Sequence, residues 1–152
     1  MTLFHSDSRE QLRRSYAEAW AKRLAHAPLT PLEALITDVI EAHPEYQALI
    51  ADPRKAEEFE AAAGSPAENP FLHMGLHLAV REQVSIDRPP GVRELQRQLL
   101  SSQGDPHQAE HALMEALGET LWQAQRAGRA PDETQYLNLA RERLARANRT
   151  NR

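Results

Sequence analysis

The sequence predicts an all-α protein that folds as a single compact helical bundle of about five to seven helices. Apolar residues recur along most of the chain with a period of about 3.6, which is typical of amphipathic helices. Nowhere do β-branched and aromatic residues alternate over a strand-length stretch. Several prolines follow a helix-capping residue, and this pairing marks helix starts because proline lacks an N–H and already has a helical φ.

Capping residues and two glycines set the predicted helix boundaries. Thr30 and Glu33 flank Pro31 in the spacing of a capping box, and residues 105–108 repeat this arrangement. Gly104 and Gly128 stand where left-handed residues end helices. The predicted helices cover residues 8–25, 31–43, 70–84, 92–102, 106–127 and 132–147, with a shorter helical piece between residues 44 and 60.

Three segments fall outside these helices. Residues 64–69 form a loop by composition, and residues 87–91 must leave the helix because consecutive prolines disfavour helical backbone at the residue before each. The sequence predicts one domain over residues 1–147 and a flexible basic tail over residues 148–152. The last dozen residues hold five arginines and one glutamate, which suits a helix C-terminus and favours phosphate or RNA contact only weakly.

Composition excludes several classes of protein. The 152-residue chain has a net charge of −4, which does not favour nucleic-acid binding, and it has no cysteine for disulfides or thiolate metal sites. No apolar run reaches the length of a membrane span, and the N-terminus is too polar for a signal peptide, so we expect a cytoplasmic protein. A homodimer suits a bundle of this size, although no apolar stripe identifies an interface or another partner.

Histidine carries the chemical signal. Four of the seven histidines form two pairs four residues apart, His73 with His77 and His107 with His111. Residues at this spacing lie one turn apart on one helix face, where two imidazoles can share an ion. His43 ends an apolar helix stripe and is also predicted to face the core. We therefore predict a site for one or two metal ions formed by His43, His73, His77, His107 and His111. Glu115 or Glu119 would complete the coordination shell or orient a ligand.

Two interpretations of these histidines stay open at this stage. Imidazole with carboxylate and without thiolate suits Zn, Fe, Mn or Ni, and such an ion would activate water or oxygen. No glycine-rich phosphate loop is present, so we expect no organic cofactor, and no catalytic residue is assigned. In the alternative, the histidines form a buried hydrogen-bond network in a metal-free structural or interaction domain. Trp20 and Trp122 are then either partner contacts or core residues.

Two known histidine motifs are similar to parts of this pattern. Residues 107–111 read H-x-x-E-H, the inverzincin motif with Glu110 beside the bound water, but that active site belongs to much larger chains. The order of His43, His107 and His111 also resembles the ligand arrangement of short DinB-like helical bundles. That similarity is at the level of the fold, and a fold alone does not determine a function.

A more extensive resemblance covers residues 28–139. The segments at residues 69–83, 85–91, 43–46, 107–111 and 121–126 are similar to signatures of a bacterial family known as domain of unknown function 1841. The family has no established activity, so the resemblance implies no reaction. Its pattern matches all five candidate histidines, whereas it often has Gln at the position of Glu110 and His at that of Gln47. This departure makes Glu110 a poor candidate for an obligatory base or ligand.

Overall fold

The structure is a computed structural model that describes residues 6–58 and 69–150, and this part of the chain is all-α. It contains eight helices and no strand. The helices are α1 (Ser6–Leu24), α2 (Pro31–Glu41), α3 (Pro44–Ile50), α4 (Pro53–Glu58), α5 (Pro70–Ile86), α6 (Val92–Gln103), α7 (Pro106–Ala127) and α8 (Glu133–Thr150).

The prediction of five to seven helices was too low, because the piece expected between residues 44 and 60 consists of two short helices. The chain leaves α3 at Ala51. Asp52 then accepts a hydrogen bond from the backbone N–H of Arg54 at 3.0 Å and so starts α4 with Pro53 at its first position. The signal for this second start was the Asp52–Pro53 pair, in which a capping residue precedes a proline.

The predicted capping interactions are present. The Thr30 hydroxyl accepts from the backbone N–H of Glu33 at 3.1 Å, and the Glu33 carboxylate accepts from the backbone N–H of Thr30 at 3.0 Å. Gly104 and Gly128 end α6 and α7 with φ of 71° and 63°. The end of α1 was not signalled by a glycine, since His26 occupies the left-handed region there with φ of 55°.

The predicted turn at residues 87–91 is confirmed, and two side chains build it. Asp87 accepts hydrogen bonds from the backbone N–H groups of Gly91 and Arg93 at 3.2 and 3.1 Å. The Arg93 guanidinium donates to the carbonyl oxygens of Val84 and Ser85 at 3.0 and 2.8 Å, so it satisfies carbonyls at the end of α5. The other predicted loop lies outside the described residues, except for Asn69.

The chain divides into two compact units, with the boundary between Leu78 and Ala79 inside α5. The first unit contains α1 to α4 and the start of α5. Trp20 is only 7% exposed and belongs to its core, so its interpretation as a core residue holds. The prediction of a single domain over residues 1–147 stays a prediction.

Ion pairs join α1 to α2 on the surface of the first unit. The Lys22 ammonium lies 2.7 Å from the Glu33 carboxylate. The Arg23 guanidinium lies 3.1 Å from Asp38 and also contacts Glu41. These pairs engage the three acidic side chains that α2 directs toward α1.

The second unit contains the end of α5 with α6, α7 and α8. One face of α7 supplies much of its core, including Ala109, Ala112, Leu113, Met114, Ala116, Leu117, Thr120 and Ala124. The hydroxyl of buried Tyr136 donates to the Gln83 side chain at 2.7 Å. The last helix continues to Thr150, beyond the expected end at residue 147, and residues 151 and 152 of the predicted tail lie outside the described residues.

Trp122 lies at the surface, in contrast to Trp20. Trp122 is 53% exposed, and the Arg126 guanidinium lies 4.6 Å from the centre of its ring. Within the described residues, every helix is too short or too polar to cross a bilayer.

Candidate metal centre

Three of the five predicted ligands meet in the first unit. Nε2 of His43 lies 3.1 Å from Nε2 of His73, and Nε2 of His73 lies 3.2 Å from Nε2 of His77. One potential ligand nitrogen from each of the three lies within 4.8 Å of the others. The structure thus brings together a histidine pair on one helix and a single histidine distant in sequence.

Local sequence explains how α5 presents its pair. Asn69 starts this helix, since its side-chain oxygen accepts hydrogen bonds from the backbone N–H groups of Phe71 and Leu72 at 3.1 and 3.2 Å. His73 and His77 are therefore one turn apart in a regular helix. Their ring centres are separated by 4.8 Å, and the ring planes are nearly perpendicular.

The third ligand, His43, stands at the junction of α2 and α3. Its backbone N–H donates to the Ile40 carbonyl at 3.0 Å, and its own backbone, at φ −127° and ψ 73°, is no longer helical. The imidazole Nδ1 lies 2.7 Å from the Val39 carbonyl oxygen. Because a carbonyl only accepts hydrogen bonds, Nδ1 carries the proton, and in the neutral ring Nε2 presents a lone pair. A backbone carbonyl orients many metal-ligating histidines in this way.

The contacts among the three Nε2 atoms cannot both be full hydrogen bonds in a neutral cluster. A neutral imidazole has one N–H, and His43 has its proton on Nδ1. If Nε2 of His73 carries a proton, that N–H is shared between two acceptors; if it does not, two lone pairs face each other at 3.1 Å. A cation bound to all three lone pairs removes this conflict.

The distances also suit a metal ion. Zinc–nitrogen bonds of about 2.0–2.1 Å with tetrahedral angles place neighbouring ligand nitrogens about 3.3 Å apart. The two measured separations, 3.1 and 3.2 Å, are close to that value. Two of the three nitrogen separations therefore match neighbouring ligands of one ion, and the third is within 4.8 Å.

Burial and ring packing fix the three imidazoles. His43 and His77 are 4% and 1% exposed, whereas His73 is half-buried. The Tyr46 ring stacks on that of His43, with centres 5.2 Å apart and planes 4° from parallel. Burial, with a smaller contribution from Glu45, raises the pKa of the Tyr46 hydroxyl. Sequence reasoning missed Tyr46, although its position three residues after His43 is compatible with this contact.

Comparison with known proteins gives a family. The family model described as domain of unknown function (DUF1841) matches residues 8–142. The chain belongs to this family. The match confirms the resemblance found in the sequence, and the description names no activity. No curated protein and no solved structure matches this DUF1841 chain.

The second histidine pair of the DUF1841 chain lies in the second unit. The rings of His107 and His111 have centres 4.2 Å apart, as their spacing on α7 predicts. His107 is exposed in the first turn, where its backbone N–H donates to Asp105, and His111 is partly buried. Their participation in metal binding stays a prediction.

The glutamates considered as bases or orienting groups are paired with cations. The Arg81 guanidinium binds both carboxylate oxygens of Glu110, at 2.7 and 3.3 Å. Glu115 accepts a hydrogen bond from Arg143 at 3.1 Å, and Glu119 lies 3.9 Å from the same guanidinium. The predicted role of Glu115 or Glu119 at a metal site stays a prediction.

Proposed function

We propose that this DUF1841 protein binds a transition-metal ion through Nε2 of His43, His73 and His77. The observation that carries the proposal is the convergence of three Nε2 atoms, one of which has its lone pair fixed by the Val39 carbonyl. Imidazole nitrogens suit Zn, Fe and Ni, and less well the oxygen-preferring Mn. The ion belongs to the zinc or iron class.

The proposal extends to the second pair on the strength of the sequence alone. His107 and His111 have the same four-residue spacing on α7 as His73 and His77 have on α5. We expect them to take part in metal binding as well. A variant in which both are alanine tests this part separately.

A metal-free hydrogen-bond network is the competing interpretation. In a neutral network the contacts of His73 Nε2 with His43 and with His77 cannot both be full hydrogen bonds. A metal ion coordinated by all three Nε2 atoms accounts for both contacts, and for that reason we favour it.

Elemental analysis of untagged protein purified without chelator tests the proposal. We expect near-stoichiometric metal in the wild type, and much less in His73→Ala and in His77→Leu, which keeps an apolar side chain of similar size at a buried position. His26→Asn is the matched control, because it removes an exposed histidine from the same unit. Asn also tolerates the left-handed backbone at this position.

Thermal unfolding with and without chelator gives the second readout. An ion present at about a thousand times its Kd stabilises the folded state by about 4 kcal/mol. For a chain of this length, that free energy corresponds to a Tm shift of about 8–16 °C. Chelator should lower the Tm of the wild type and of His26→Asn, but not that of the ligand variants. A reconstituted wild type without metal and without chelator sensitivity would contradict the proposal.

A further inference from the structure

The three histidines of the candidate centre are neutral donors, and this bears on which further ligand a bound ion takes. Resting on the proposed metal binding, we infer that the bound ion takes a small anion as an additional ligand. Suitable anions are metal-binding monoanions such as hydroxide, bicarbonate, a carboxylate or azide. The inference follows from the neutral donor set, the surrounding carboxylates and the burial of the centre.

The donor set is neutral. Among the described residues, the group of side chains placed to share an ion consists of histidines and includes no carboxylate. Histidine binds a metal as the neutral imidazole, and the Val39 carbonyl holds His43 in the tautomer that does so. A divalent ion bound by such donors keeps its full charge of two.

The described acidic side chains of α2 and α3 do not offset that charge. Glu33 pairs with Lys22, while Asp38 and Glu41 contact Arg23. Glu45, which precedes Tyr46, is exposed to solvent. The acidic side chains of α2 are thus paired with cations of α1.

Burial makes the uncompensated charge costly. His43 and His77 are almost fully excluded from water, so water screens a charge at their Nε2 atoms poorly. A bound anion lowers this cost directly. A metal ion also favours the ionised form of a bound water, so hydroxide is the ligand expected when no other anion is supplied. The half-buried His73 marks the side on which an anion from solvent can approach.

Azide titration of the cobalt(II)-loaded chain tests the inference, because the visible spectrum of cobalt reports its coordination. We expect azide and acetate to change the spectrum of the wild type with saturation. His73→Asp replaces one neutral donor with a charged one, so its azide Kd should rise by at least about tenfold. His26→Asp adds the same charge at an exposed position of the same unit and should leave the azide Kd unchanged. If His73→Asp does not hold cobalt, His77→Asp makes the same comparison.

The outcomes separate this inference from the proposal on which it rests. Absence of a protein-bound cobalt spectrum would overturn metal binding itself. A normal cobalt spectrum that neither azide nor acetate alters would leave metal binding in place and overturn anion binding. Equal azide affinity in the wild type and in a carboxylate variant that holds cobalt would refute the charge argument.

Discussion

Two buried tyrosines of this protein should respond in opposite directions to the loss of their hydroxyl groups. Tyr16 is 0% exposed, its ring stacks on Phe71, and its hydroxyl has no hydrogen-bond partner within the described part of the chain. The hydroxyl of Tyr136 donates to the Gln83 side chain at 2.7 Å. Tyr16→Phe removes an unsatisfied polar group, whereas Tyr136→Phe removes a hydrogen bond and leaves Gln83 without that donor.

The expected magnitudes follow from these contacts. An unsatisfied buried polar group costs about 1–3 kcal/mol, so Tyr16→Phe should raise the free energy of unfolding by about 1 kcal/mol, which corresponds to about 2–4 °C in Tm. A hydrogen bond contributes about 0.5–1.5 kcal/mol, so Tyr136→Phe should lower the free energy of unfolding by about that amount. Both changes keep the aromatic ring, and packing therefore stays nearly constant.

Urea unfolding followed by circular dichroism measures both variants against the wild type. The comparison requires equal m-values, which show that the change in surface exposed on unfolding is the same. A Tyr16→Phe variant destabilised as much as Tyr136→Phe would refute the assignment of an unsatisfied hydroxyl at Tyr16. In that case a water molecule or another group must bind that hydroxyl.

Three further predictions address pH, capping and the acidic residue of the H-x-x-E-H string. Burial raises the pKa of Tyr16 and of Tyr136 above 10.0, so the unfolded chain loses these protons first and the free energy of unfolding falls above pH 10. Urea titrations at alkaline pH should show a loss of about 1.4 kcal/mol per pH unit for each of these tyrosines, and Tyr16→Phe should remove the contribution of one of them. Thr30→Ala removes the capping hydroxyl of α2 and should cost about 1 kcal/mol, while Thr30→Ser should cost little; equal losses in a denaturation assay would argue against the cap. Glu110→Gln breaks the ion pair with Arg81 and should lower the free energy of unfolding by about 1–2 kcal/mol. The metal content should stay unchanged, and loss of metal on elemental analysis would make Glu110 part of the site.

Local signals in the sequence predicted most of the helices. The Thr30 capping box, the glycine stops and the proline-rich turn each depend on neighbouring residues, and each is present in the structure. The error in the number of helices lies where the signal was weak, since the chain breaks into two helices at Asp52. The end of α1 at Leu24 is one residue from the predicted end, although no glycine marks it.

The candidate site was predictable to the extent that helix geometry determines it. The approach of His73 to His77 follows directly from their spacing on one helix. The contribution of His43 was inferred from its place on an apolar stripe, and its 3.1 Å approach to His73 depends on tertiary packing that no local pattern encodes. The roles of the Val39 carbonyl and of the Tyr46 ring could not be inferred either, because both depend on where α2 stops.

The end of α2 decides which nitrogen of His43 carries the proton. The Val39 carbonyl would ordinarily accept from the backbone N–H of His43 in a continuing helix, but that N–H bonds to Ile40 and the imidazole donates to Val39 instead. Pro44 disfavours helical backbone at the preceding residue and so keeps this arrangement. A proline outside the cluster thereby acts on the tautomer of His43, and Pro44→Ala, which allows the helix to extend, would release the Nδ1 proton from its acceptor. The length of α2 therefore determines which nitrogen of His43 is available to bind a metal ion.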